Sequence, residues 1–260
     1  MNFSLYFSVD LLDTEYKVSC MALSQMRLIR PTVLLSCLLV SQTSAELPLS
    51  GEALLRKMET AYAQVNDYRT EVELRTYKRD GSFETEKFLY TFKKPKWIRI
   101  DFQSPHAGMI LVYPDKNGKV AVQPSGLAHL LKFHLAPDSR LLKGSSGQRI
   151  DQTDLGLLIR NISHSLTDQS RGPAELAENN GYVRVRVLAA DHFHEDVITL
   201  YQFFIDKKLW LPAAVEEFTP DGRLERSITF GDLRINNGTP DSFFQLDGAV
   251  NQSDERTDEK

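Results

Sequence analysis

The order of apolar and polar positions changes period several times along the chain. From Ser50 the period is helical: Leu54, Met58, Ala61, Tyr62 and Val65 fall on one stripe. Ser50 offers a hydroxyl to an orphan N–H of the first turn, and Asn66-Asp67 closes the run. From Tyr68 the period drops to two. Tyr68, Thr70, Val72 and Leu74 share one face, and Arg69, Glu71, Glu73 and Arg75 share the other. Asp80-Gly81 supplies the positive φ of a hairpin turn. The returning run over 83–93 puts Phe88, Tyr90 and Phe92 together. After Lys94-Pro95-Lys96, Ile98, Ile100 and Phe102 alternate with Arg99 and Asp101. Runs over 109–113 and 119–123 flank the turn Asp115-Lys116-Asn117-Gly118. The pattern predicts about five antiparallel strands in a meander.

The middle of the chain breaks this rhythm. Residues 127–135 are short and open to a helical reading, and Gly144-Ser145-Ser146-Gly147 reads as a flexible connection. A second helix is predicted over 151–166, with Leu155, Leu158, Ile159, Ile162 and Leu166 on one stripe. Asp151 or Thr153 can cap it, and Asp154 suits the positive end of its dipole. Strands resume over 182–188, where Val183, Val185 and Val187 oppose Arg184 and Arg186. The run over 198–205 is apolar on both faces, as in a central strand. Runs over 211–218 and 223–235 pair across Thr219-Pro220-Asp221-Gly222, and Phe243-Phe244-Gln245-Leu246 forms a closing apolar plug. The expected class is mainly β with α: helix, about five strands, a helical middle, then about four strands. A curved antiparallel sheet with both helices on its concave side satisfies the two stripes, since one sheet face supplies the surface they need.

The N-terminal residues belong to a different problem. Arg27 and Arg30 precede the apolar run Thr32 to Val40, and the small residues of Ser41 to Ala45 follow, an order typical of a secretory signal peptide cleaved after Ala45. The run is too short for a membrane span, which needs roughly 20 apolar residues. Asp10, Asp13 and Glu15 do not suit a signal, so translation is expected to start at Met21 or Met26. The expected division is therefore 1–45 as extension plus signal peptide, 46–248 as one domain, and 249–260 as a polar tail. Both cysteines, Cys20 and Cys37, fall in the first segment, so the mature domain is expected to rest on packing alone. Leu34-Leu35-Ser36-Cys37 has some likeness to a lipidation box, but Leu38, Leu39 and Val40 continue the apolar run beyond it. Export to the periplasm is expected, with a lipid-anchored form at Cys37 as the lesser alternative.

Composition adds little to this picture. A formal charge of -4, from 31 basic and 35 acidic residues, gives no electrostatic reason to expect a nucleic-acid partner. There is no Gly-x-Ser-x-Gly, phosphate loop or dinucleotide fingerprint, so no enzyme and no cofactor is expected. His192-Phe193-His194-Glu195-Asp196 carries zinc-type ligands, but it lies in a strand connection where polar residues are ordinary. A solvated loop is expected there, and no metal site.

Several features together resemble a known family. They are the signal peptide, the helix leading into Asp67-Tyr68-Arg69-Thr70, the Asp80-Gly81 hairpin, and Lys94-Pro95-Lys96-Trp97-Ile98-Arg99. Later come Ile205-Asp206-Lys207, Leu211-Pro212, the Asp221-Gly222 hairpin, Asp232-Leu233-Arg234-Ile235-Asn236 and Asp241-Ser242-Phe243-Phe244. Over about residues 50–247 the chain resembles the LolA/LolB-like superfamily of lipoprotein carriers. It looks closest to uncharacterised LolA-like bacterial proteins of a domain-of-unknown-function family. The resemblance implies an open half-barrel under a helical lid, with an apolar cavity that takes acyl chains of lipids or lipoproteins. It also implies an envelope membrane protein as a further partner. An envelope stress regulator or interaction protein on the same fold is the alternative.

The cavity is expected from the aromatic excess on one sheet face: Tyr68 and Val72; Phe88, Tyr90 and Phe92; Ile98, Ile100 and Phe102. Leu54, Met58 and Tyr62 of the first helix and Leu155, Ile159 and Ile162 of the second would close it. Such a pocket holds an acyl chain at about 0.8 kcal/mol per CH₂. The bland alternative is that these side chains fill an ordinary core. Arg69 and Arg99 are candidates for holding the lid through helix or loop carbonyls, which the planar arginine fork can do. Exposed strand arginines are the alternative.

Overall fold

The computed structural model describes residues 49–142, 148–179 and 181–246. The predicted signal peptide with its cleavage site, Cys37, the Gly144–Gly147 connection and the tail lie outside the described residues. Helix α1 is Gly51–Ala63. Strands β1 (Asp67–Tyr77), β2 (Phe83–Lys93), β3 (Trp97–Ser104), β4 (Ile110–Tyr113), β5 (Val120–Gln123) and β6 (Phe133–Leu135) follow. Helix α2 is Leu155–Thr167. It leads into β7 (Glu175–Glu178), β8 (Tyr182–Ala190), β9 (Ile198–Asp206), β10 (Leu211–Phe218) and β11 (Leu224–Ile235).

All eleven strands form one sheet in the order β6-β5-β4-β3-β2-β1-β11-β10-β9-β8-β7. Every pairing is antiparallel. Two meanders, one before α2 and one after it, are joined where the first strand pairs with the last. The edges β6 and β7 do not meet, so the curved sheet is an open half-barrel carrying two helices. Two strands lie beyond the periodicity reading. β7 is a polar edge strand, and β6 occupies the end of a stretch open to a helical reading, whose first half is a 3₁₀ turn over Gly126–Leu130.

Both helices begin as the sequence dictates. Ser50 Oγ accepts from Ala53 N at 3.2 Å, and Asp154 Oδ1 accepts from Leu157 N at 2.9 Å, each satisfying a first-turn donor. Asp154 is the cap, rather than Asp151, which lies in a 3₁₀ turn over Ile150–Gln152, or Thr153, which ends that turn, so α2 starts at Leu155 and not at Asp151 as expected. The helices lie close together: a Cβ on Gly156 of α2 would come within 2.5 Å of the Tyr62 ring of α1.

The main core lies between the concave face and the helices. Leu54 and Met58 of α1, Leu155, Ile159 and Ile162 of α2, and Val183, Val185 and Val187 of β8 are fully or almost fully buried in it. A smaller core lies on the outer face, where Phe244 packs with Val112 and Ala121, and against Trp97 edge to face. This is the closing plug expected from the sequence. Asp67, 3% exposed, fastens the chain that leads to it. Its carboxylate accepts from Asn237 N at 2.9 Å, Gly238 N at 3.1 Å and Thr239 Oγ1 at 3.1 Å.

Candidate functional site

Register arranges the aromatic face in rows. Tyr68, Phe92 and Ile98 stand side by side across β1, β2 and β3. Thr70, Tyr90 and Ile100 form the next row, and Val72, Phe88 and Phe102 the third. The first row lies under the helices, where Phe92 and Ile98 are solid core. Beyond it, under the start of α2, the sheet borders a cavity of about 110 Å³.

The floor of this cavity includes Tyr68, Val72, Phe88, Tyr90 and Ile100 from the first meander. The second meander adds Tyr201, Phe203, Val215, Glu217, Ile228 and Phe230. Its roof is the start of α2, with Leu157, Leu158 and Asn161, the approach over Gln152–Asp154, and the β8–β9 loop with His192 and Phe193. Of the residues expected from the sequence, five therefore line it. Phe92, Ile98, Leu54, Met58, Leu155, Ile159 and Ile162 lie in the packed core, and Phe102 and Tyr62 pack against that core. The helix residues expected to close the cavity fill the core, and Leu157 and Leu158 of α2 roof the cavity.

The roof is held by polar contacts from the floor. Tyr68 Oη accepts from Leu155 N at 3.0 Å. Tyr90 Oη and Thr153 Oγ1 are 3.0 Å apart. Tyr62 Oη donates to Asp154 Oδ1 at 3.4 Å. Burial pushes the Tyr68, Tyr90 and Tyr62 phenols up, which keeps all three as neutral hydroxyls. At the other end of α2, Ser165 Oγ and His192 Nε2 are 2.9 Å apart.

Among the described residues, Arg69 and Arg99 make no hydrogen bond to α1 or α2. Both lie on the outer face of the sheet, because alternation sends them away from the helices. Arg99 is 4% exposed. It donates to the Asp101 carboxylate and, through Nη1, to Phe243 O at 3.1 Å. It does bind a loop carbonyl, but that of the outer plug. Arg69 is half-buried between Thr91 and Arg234 in the register, and among the described residues it has no hydrogen bond to either helix.

The histidine segment is also more ordered than a solvated loop. His192 turns inward and stacks on Tyr201 at 4.4 Å, and Tyr201 stacks on Phe203 at 5.3 Å. His194 points outward and shares a contact with Asp191 at 2.9 Å, so the two imidazoles diverge. Burial pulls the His192 imidazole down to about 4, with nearby Asp191 opposing. Burial alone would raise Asp191, but donors from Phe193 N, Thr199 and His194 hold it below the usual carboxylate range. No cluster of three or more metal-ligating side chains occurs among the described residues. The Ser165–His192 contact is no nucleophile pair, since Ser165 is 1% exposed and does not line the cavity.

Glu217 is the residue that sequence reasoning missed most plainly. It sits on β10, 7% exposed, on the cavity wall. Arg226 Nη1 is 3.3 Å from its carboxylate. Burial raises Glu217, and Arg226 opposes that rise. Its signal in the sequence was slight: a lone acid two residues after Val215 on the apolar parity of the strand.

No protein-family model and no curated protein matches this chain. Solved structures resemble it in part. A DUF1329 family protein from Desulfovibrio piger is 13% identical, with a TM-score of 0.43 over 76% of this chain and 96% of its own. A LolA superfamily protein from Nitrosomonas europaea is 11% identical, with a TM-score of 0.36 over 76% of this chain and 98% of its own. MucB is 15% identical, with a TM-score of 0.42 over 75% of this chain, which spans 62% of that protein. At these values the likeness carries no argument, and the reading of the site rests on its own geometry.

Proposed function

We propose that this chain is a carrier-like protein of the bacterial envelope that holds an acyl chain of a lipid or lipoprotein against the concave face of its half-barrel. One observation carries the reading. Val72, Phe88, Tyr90 and Ile100 of the second and third rows line an apolar cavity at the margin of the core, under the start of α2. At about 110 Å³ the void is smaller than the roughly 150 Å³ apolar cavity that takes a benzene ring. A full acyl chain therefore requires the start of α2 to lift. The roof is fastened there by side-chain hydroxyls of Tyr68, Tyr90 and Tyr62, each a single hydrogen bond worth about 1 kcal/mol net. Export to the periplasm follows from the signal-like segment. No helix among the described residues is long and apolar enough to cross a membrane.

Filling the cavity tests the reading. Val215 lines it and is itself buried. In a solid core Val215→Phe would cost about 1–3 kcal/mol by overpacking. In a ligand cavity it occupies the void, so the melting temperature holds or rises while binding of a fluorescent acyl probe disappears. A destabilised variant, or undiminished probe binding, contradicts the proposal.

A second reading, an interaction protein, draws on a different place. Leu127, Leu130, Leu131 and Phe133 are exposed along the 3₁₀ turn and edge strand β6, and apolar clusters of this kind mark contact surfaces. Loss of a pulled-down envelope partner on Leu130→Asp, with probe binding unchanged, would favour it.

A further inference from the structure

The cavity wall has an unusual charge pattern for an acyl site. Among the described residues that line it there is no lysine or arginine, and the acidic side chains are Asp154 and Glu217. Asp154 is engaged at the start of α2, where its Oδ1 receives Leu157 N and Tyr62 Oη. Glu217 has no comparable commitment. Its contact with Arg226 is an ion pair at 3.3 Å that does not meet hydrogen-bond geometry, and Arg226 Nη1 is buried with no hydrogen-bond partner. Buried polar groups are nearly always satisfied; Arg226 does not itself line the cavity, so Glu217 is the member of the pair that a ligand there can meet. Asp191 and Glu225 both act on Glu217 in the same sense as burial, against Arg226 and His194.

We propose that the cavity selects acyl compounds whose head group is uncharged and carries hydrogen-bond donors, such as a monoacylglycerol or an N-acyl amide, and rejects free fatty acids, with Glu217 as the selecting group. This rests on the acyl-cavity reading above and adds a head-group preference to it. A hydroxyl or amide N–H donates to the Glu217 carboxylate without disturbing its pairing with Arg226. A fatty-acid carboxylate brought to the same wall meets the Glu217 carboxylate and must share Arg226 with it. Like charges held a few ångström apart in a partly buried site cost at least about tenfold in affinity.

The test compares dodecanoate with 1-monododecanoylglycerol as competitors of a neutral fluorescent acyl-ester probe at pH 7.5. Three proteins are used: wild type, Glu217→Gln, and the double variant Glu217→Gln/Arg226→Met. The double variant removes both charges together and so avoids a stranded cation, which is the costly change in a buried pair. Melts confirm that each is folded. Wild type is expected to bind the glycerol ester at least about tenfold more tightly than dodecanoate. Glu217→Gln, which leaves Arg226 free to meet an anion, should reverse that order. The double variant should bring the two ligands within about threefold of each other, once the local charge is gone. Equal or tighter binding of dodecanoate by wild type overturns the head-group preference and leaves the acyl cavity standing. So does an unchanged gap in the folded double variant. If neither ligand nor the probe binds wild type, the acyl-cavity reading fails and the preference falls with it.

Discussion

Acidification should loosen this protein at one identifiable point, His192. The imidazole is held between Tyr201, on which it stacks, and Ser165 of α2. Burial favours its neutral form, so the folded chain takes up this proton only near pH 4, against 6.5 for an unperturbed histidine. Asp191 opposes that shift and His164 adds to it. Between those two values the unfolded state binds more protons than the folded one. Stability from this group is therefore complete above pH 6.5, falls as the pH drops through the window, and levels out below 4. Linkage gives a loss of about 2 kcal/mol between pH 7 and pH 5. Carboxylates also contribute to any acid transition, so the assay is differential: urea unfolding of wild type and His192→Gln at both pH values. The glutamine keeps a hydrogen-bonding partner for Ser165 but has no proton to gain. Wild type should lose about 2 kcal/mol more than the variant over that interval. Identical losses would mean that His192 is not held buried in its neutral form.

Two further outcomes follow from the packing. Phe92→Ala, in the solid first row, should cost about 3–5 kcal/mol, whereas Phe88→Ala, at the cavity wall, should cost under about 2 kcal/mol while weakening acyl-probe binding; chemical melts and probe titration on the same samples check both. Asp67→Ala should cost on the order of 3 kcal/mol, because the Asn237 and Gly238 amides and the Thr239 hydroxyl lose a charged acceptor. Amide exchange at Asn237 and Gly238 should rise well before the strands open.

Alternation alone sorted the faces of β1, β2 and β3 correctly, because a strand's side-chain period is fixed at two. What it could not supply was depth along the strand. Phe92 and Phe88 share a face and a strand, yet one is solid core and the other lines a void. The difference lies in what packs over each ring, a tertiary fact. The second meander hid its share of the site for a similar reason. The run over 198–205 is apolar on both faces, so nothing in it singled out Tyr201 and Phe203 as the inner pair. Arg99 had the right chemistry for gripping a carbonyl, but the element it grips, Phe243, sits on the outer face. The short edge strands β6 and β7 were illegible because an exposed strand of three or four residues has almost no pattern to read.

The central claim is that the cavity under the start of α2 holds a bound acyl chain. Detergent-free purification of the protein from its own envelope fraction, followed by native mass spectrometry and lipid extraction, tests this most directly, with Val215→Phe purified in parallel as the filled-cavity control. The account predicts an acyl compound bound one to one in wild type and absent from the variant. Wild type emerging with no acyl compound, or with the same lipids as the filled variant, would contradict it.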